Sequence, residues 1–299
     1  MKKLKNWKNA CILAGIFIFA SCTPHTFHTV TIALDDACTP EQQILAYEVI
    51  NNRIASIWRV RGKSDLTDGK FNITHSGENA LLERMLTQRG EVYITEMFRV
   101  NEIWSGLNQV FERLFWFAEN TDHEPLWQRS RIQQSPSALI SVPLQQVSYI
   151  DSIFNQFRHF FPANVYFAWT ANPNEGFYEL LALRLTARPF LLNPNSVKDS
   201  RIDTHEFNDN DVSLNFSEIL IKLNEDYHNE LARLTHNNIG RNIAVVLDGK
   251  VLTHPMVTGE ITNGIVSITG NILEADDFLL IKSVIMGGVL DCKARIVNE

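Results

Sequence analysis

The chain has 299 residues, of which 45% are hydrophobic and 20% charged, and its formal net charge is −7. So much apolar side chain excludes a disordered polymer and suffices for one or two cores burying about three quarters of the unfolded surface. The acidic balance argues against nucleic acid as a partner, because phosphate binding needs clustered lysine and arginine.

At the amino terminus, Lys2, Lys3, Lys5 and Lys8 precede an apolar run at residues 10–20 and the small-residue end Phe19-Ala20-Ser21-Cys22. This is the layout of a secretory signal, and the run is far shorter than the about 20 residues that cross a bilayer. A cysteine directly after Ala-Ser resembles a lipoprotein box. Residues 1–21 are then a lipoprotein signal peptide, Cys22 is the lipidated first residue, and 22–27 form an anchor linker. Buried methylenes contribute about 0.8 kcal/mol each, so several acyl chains hold a protein on a membrane without a spanning helix. Thr23, rather than aspartate, follows the cysteine and points to the outer membrane, facing the periplasm. The alternative is an ordinary signal cleaved nearby, with Cys22 incidental.

Residues 28–34 alternate as a strand. Thr39, Pro40 and Gln42 form a capping-box start, which predicts a helix over 40–58 with Tyr47, Ile50, Ile54 and Ile57 as its buried stripe. A polar turn region (61–69), a strand (70–75), a helix (78–88) and a strand (91–99) follow. Ile103, Trp104, Leu107, Phe111, Leu114 and Phe115 predict a helix, and with Trp116 and Phe117 its apolar residues nearly encircle it. Trp104, Phe111, Phe115 and Trp116 are therefore a candidate apolar patch for unfolded polypeptide or a partner. The alternative is burial of the whole helix. The proline-containing stretch 120–143 reads as a loop. Val147, Ile150, Phe154, Phe157 and Phe161 predict a further helix, followed by strands at 164–170 and 177–186. Turn formers and acids make 193–211 a linker.

Leu220, Leu223, Tyr227, Leu231 and Leu234 keep helical spacing, and Gly240 supplies the helix stop. The apolar run 242–247 predicts a strand covered on both faces. Asp248-Gly249 supplies a tight hairpin turn into a strand at 251–253, which Pro255 ends. Gly259 and Gly264 bracket another turn before a strand at 265–269. Gly270 then leads to a helix carrying Ala275, Phe278, Ile281 and Ile285. Helices mixed with hairpins in this way predict an α+β protein in two parts.

Thr235, Asn238, Ile239, Gly240, Leu247, Asp248, Pro255, Gly259, Glu260, Ile261, Ser267, Ile268, Thr269, Gly270 and Asn271, in this order of elements, resemble the head of the first periplasmic domain of SecD, a subunit of the protein-export machinery. Asn52, Arg53 and Ile54 are similar to an Asn-Arg-(Val/Ile) signature in the helix of the SecD base, and residues 294–297 resemble the strand that returns to it. The resemblance implies a ferredoxin-like base over 28–187 with a returning strand at 293–298, a helix-and-loop insertion at 101–143, and an inserted α+β head over 188–292. SecD continues into membrane helices coupled to the proton gradient. The expectation here is a stand-alone lipoprotein lacking those helices. Cys38 and Cys292 flank the presumed base and are either a disulfide, in an oxidising compartment, or two unpaired thiols.

No chemistry emerges beside this. Neither His228-Asn229-Glu230 nor Thr204-His205-Glu206 completes a His-Glu-x-x-His zinc pattern, and no nucleophile elbow or phosphate loop is present. His228 and His236 with Glu225 or Asp226, and the group Asp203, His205, Glu206, Asp209 and Asp211, read as solvated side chains rather than metal sites. The expectation is a non-catalytic binder of exported polypeptide or of a translocation or assembly complex, with no metal, no cofactor and no nucleic acid. The alternatives are a structural module on a fixed envelope partner and a hydrolase-type enzyme.

Overall fold

The computed structural model describes residues 26–62, 64–120, 137–209, 212–269 and 274–297. It opens with β1 (His28–Leu34), α1 (Pro40–Ile57), β2 (Val60–Arg61), β3 (Lys70–His75) and α2 (Asn79–Thr87). The capping box at α1 is formed: the Thr39 hydroxyl accepts from the Gln42 amide at 3.3 Å and Gln42 Oε1 from the Thr39 amide at 2.9 Å. There follow β4 (Val92–Glu96), α3 (Trp104–Asn120), β5 (Ile140–Val142), α4 (Leu144–Gln156), β6 (Val165–Trp169), β7 (Tyr178–Arg184) and β8 (Phe190–Leu191). The remainder is β9 (Val197–Asp209), β10 (Val212–Leu223), α5 (His228–Asn237), β11 (Ile243–Leu247), β12 (Lys250–Thr253), β13 (Ile265–Thr269), α6 (Ala275–Gly287) and β14 (Ala294–Val297).

Four antiparallel sheets result, and the fold class is α+β. The first has the order β14-β1-β3-β2, with Ile32 opposite both Phe71 and Ile296. Counted with α1 and α2, this is a β-α-β-β-α-β unit of ferredoxin-like strand order. Its last strand arrives only after everything from β4 to α6 has been inserted. Ile32, Ile50, Ile54, Phe71, Ile73, Leu82 and Leu86 form its core. Cys38, in the turn between β1 and α1, is joined by a disulfide to Cys292, where the inserted chain rejoins the unit, with Cα atoms 6.0 Å apart.

The second sheet, β12-β11-β4-β8, has β11 at its centre, buried at every position. Ile243, Val245 and Leu247 face a core shared with α6, while Ala244 and Val246 face Leu181, Leu183 and Val251. This two-sided covering matches the uninterrupted apolar run in the sequence. The third sheet, β5-β7-β6, packs α3 and α4 around Phe154, Phe161, Trp169 and Leu180. A parallel bridge from Thr170 to Val251 joins it to the second. The fourth, β13-β10-β9, includes a long hairpin.

Three sequence expectations fail here, in whole or in part. Residues 197–209 are strand β9 rather than part of a linker, and the exposed side chains of Arg201, Thr204 and His205 account for polar composition there without irregular backbone. Leu220 and Leu223 lie on β10, and the helix starts only at His228, after a 3-10 turn at Glu225–Tyr227. Ile219, Ile221 and Leu223 alternate and are fully buried, so the period-2 pattern prevails over the helical spacing that shares the same leucines. Of the expected loop 120–143, residues 121–136 lie outside the described residues, and 140–142 are strand β5.

Candidate functional site

Among the described residues, Arg53 makes the most side-chain hydrogen bonds. It falls on the same face of α1 as Ile50, Ile54 and Ile57, and only 1% of it is exposed. Its Nη1 donates to the carbonyls of Met85 (2.6 Å) and Gln88 (2.8 Å). Its Nη2 donates to those of Arg89 (2.6 Å) and Gly288 (2.7 Å), and its Nε to Gly288 (3.2 Å). One guanidinium thus caps the carbonyl ends of both α2 and α6. Burial lowers its pKa to about 10, against the opposing field of Asp248. The backbone makes room for it. A Cβ on Gly90, whose φ is +83°, would stand 2.2 Å from Nη2, and one on Gly287 would stand 2.3 Å from Cγ of Arg53. The sequence signal was an arginine inside an apolar stripe, since a cation there must find many acceptors.

Asp248 works beside it. The Asp248-Gly249 turn has φ values of 48° and 79°, as a tight hairpin requires, and the Asp248 carboxylate accepts from the amides of Gly90 (3.0 Å) and Glu91 (2.8 Å). It thereby ties the head hairpin to the chain entering β4. Thr235 is fully buried and donates to the Leu231 carbonyl, while its oxygen accepts from the Ile261 amide at 2.9 Å. Asn238 Nδ2 donates to the Leu234 carbonyl, the Gly240 amide to Val257, and the Ile243 amide to Pro255. Gly264 sits against the His228 ring, and Gly259 faces open space. Gly270 and Cys22 lie outside the described residues.

Of the candidate apolar patch, Trp104 is half exposed, whereas Phe111 is buried among Ile103, Leu107 and Leu139. Phe111 is therefore core rather than binding surface, because the third sheet covers that face of α3. The side chains of Phe115 and Trp116 lie outside the described residues. Trp104 stands at a cleft of roughly 470 Å³ between this layer and the head. Met97, Phe98 and Val100 line one side, and Gly240, Arg241, Asn242 and Met256 the other. Met256 and the neighbouring Ile239 are also well exposed.

The cleft is braced by charge. Arg99 donates to the Gly240 carbonyl (3.0 Å), and Glu102 receives Arg241 (3.1 Å) and Arg184 (3.4 Å). Burial opposes ionisation of Glu102, but the Arg99 amide and the Arg241 guanidinium outweigh it and hold the carboxyl below its usual range. Among the described residues, no group of three or more His, Cys, Asp or Glu side chains is arranged to hold a metal ion. His228 packs on Gly264, and His236 pairs instead with Glu260 at 3.2 Å. No described helix is long and apolar enough to cross a membrane.

Residues 179–283 match the family described as SecDF, P1 head subdomain. The protein translocase subunit SecD of Acidaminococcus fermentans is 36% identical over 109 residues, which are 36% of this chain and 24% of that protein. The SecD subunit of Rhodothermus marinus is 32% identical over 146 residues, 46% of this chain and 21% of that protein. The chain thus spans less than a quarter of the length of these relatives. Among solved structures, a SecDF described as a membrane component that enhances protein export aligns over 91% of this chain and 99% of its own, at 14% identity and a TM-score of 0.46. SecDF in its super-membrane-facing form aligns over 90% and 29%, at 14% and 0.47. With its described motif residues in one lobe around α5 and β11, the chain is SecD-like, and it resembles the periplasmic part of that family.

Proposed function

We propose that this protein is an envelope lipoprotein, anchored through Cys22 to the outer membrane, that binds extended segments of exported polypeptide, or a translocation complex carrying them, without catalysing a reaction. The observation that carries the reading is the cleft between α3 and the head. Trp104 and Met256 offer apolar surface to a passing side chain, while the Arg99–Gly240 and Arg241–Glu102 contacts tie the walls at a fixed spacing. Exposed apolar surface beside polar backbone suits a ligand defined by extended chain and bulky side chains rather than by one sequence. The likeness to SecD, a protein translocase subunit, supports the same direction.

Photo-crosslinking from position 104 tests it. The expected products are adducts with exported, unfolded polypeptide or with translocation components, reduced by Met256→Ala. Adducts with neither class would sink the proposal. Labelled palmitate incorporated by the wild type and absent from Cys22→Ala tests the anchor separately.

A further inference from the structure

The base sheet β14-β1-β3-β2 packs one face on α1 and α2, through Ile32, Phe71, Ile73 and Ala294. Side chains alternate along a strand, so the registers Thr31↔Asn72, Thr29↔Thr74 and Arg61↔Thr74 set a polar row on the opposite face. Thr29 and Thr74 share a hydrogen bond there at 2.8 Å, and the Thr31 hydroxyl donates to Asn72 at 2.7 Å. The charges on this face all have one sign. They are Arg61, Lys70 and Arg295, the last two on either side of Ala33, and all three are exposed. None of the four strands contains an aspartate or a glutamate. Among the described residues none of the three cations has an ion-pair partner, and Arg61 lies instead over the Phe27 ring, 3.5 Å from its centroid. Asp35, Asp36, Asp65 and Asp68 belong to connections at or towards the end of the sheet away from Phe27.

In a chain whose net charge is −7, an open face with cations alone calls for an anionic partner. The chain length before it selects which one. Phe27 adjoins the face, and the stretch from Cys22 to Phe27 reaches at most about 18 Å when fully extended. An acylated Cys22 therefore keeps this face beside the bilayer surface. We infer that the open face of the base sheet lies against the anionic phospholipid headgroups of the membrane that holds the anchor. Arg61, Lys70 and Arg295 meet the phosphates, and the threonine and asparagine side chains between them supply hydrogen bonds. The inference rests on the reading of Cys22 as the anchor. Three cations attract a membrane only weakly from free solution, but the tether raises the local headgroup concentration, so a flat face suffices where a free ligand would need a pocket. The base is thereby oriented, with α1 and α2 turned away from the membrane.

Co-sedimentation of the processed chain (22–299), carrying Cys22→Ser so that no acyl chain contributes, tests this on vesicles of phosphatidylcholine with and without phosphatidylglycerol. The expected result is binding that requires phosphatidylglycerol and weakens as salt rises. One cation near an anionic surface changes the partition coefficient about fivefold. Arg61→Gln, Lys70→Gln and Arg295→Gln should each lose about that factor, and the triple variant about a hundredfold. The pair Lys198→Gln and Lys222→Gln removes exposed charge from β9 and β10 instead, and should change binding less than about twofold. Equal binding to both kinds of vesicle, a triple variant as tight as the parent, or an equal loss in the Lys198 and Lys222 pair would each overturn the inference. Palmitate on Cys22 without phosphatidylglycerol binding would remove this inference and leave the anchor. Phosphatidylglycerol binding in a chain that takes up no palmitate would remove the anchor and leave the face.

Discussion

Replacing Arg53 by methionine keeps most of the side-chain volume but removes every donor from a site where four carbonyls converge. Hydrogen bonds from a charged donor contribute about 1.5–3 kcal/mol each. Five of them exceed the several kcal/mol that burying a guanidinium costs. The variant recovers that desolvation but leaves the ends of α2 and α6 unpaired in a dry interface, for an expected net loss of about 3–5 kcal/mol. In a chain of 299 residues that lowers Tm by about 5–8 °C. Lysine presents its three donors from one point and cannot span carbonyls belonging to two helices, so Arg53→Lys should lose about half as much. Gly90→Ala meets the same guanidinium at 2.2 Å, and its cost should shrink by at least about 1 kcal/mol when made in the Arg53→Met background. Chemical denaturation with a constant m-value is the assay. A change below about 1 kcal/mol for Arg53→Met would refute the reasoning, because it would mean that water or relaxed backbone satisfies those carbonyls at no cost.

Three further perturbations probe other links. The disulfide closes a loop of 254 residues, so Cys38→Ser, or reduction of the wild type, should lower stability by about 2–5 kcal/mol and make the midpoint insensitive to added reductant. His75 is buried, stacks on Trp58 and accepts the Gly77 amide at Nδ1, and burial, aided by His28 across the strand pair, lowers its pKa. The unfolded chain therefore takes up the proton first as pH falls. Stability should be full above the unfolded value of about 6.5 and decline below it, with His75→Phe flattening that slope in pH-dependent melts. Thr235→Val preserves shape but orphans the Ile261 amide, and should cost about 1–2 kcal/mol, read as a lower denaturation midpoint with Trp104 emission unchanged.

Where a structural decision was made by neighbouring residues, the sequence was enough. Thr39 with Gln42 starts α1, Asp248 with Gly249 turns the head hairpin, and the uniformly apolar 243–247 is the strand buried on both faces. Where the decision belonged to distant residues, local pattern misled. β9 reads as a linker because it is rich in polar residues, of which Arg201, Thr204 and His205 are exposed, and what makes it a strand is β10, whose own leucines also fit a helix. Arg53 shows the same division from the other side. The resemblance marked Asn52-Arg53-Ile54, but the carbonyls that explain the arginine lie 32 to 235 positions away, at the ends of α2 and α6. Those two helix ends are also where the inserted body departs from and returns to the ferredoxin-like unit, and the disulfide ties the returning segment to the turn between β1 and α1. Arg53 thus binds both crossings, and the disulfide adds a covalent tie at the return alone. The cleft is held by separate contacts, Arg99 to Gly240 and Arg241 to Glu102, so perturbing the neck at Arg53 and perturbing the cleft are separable experiments.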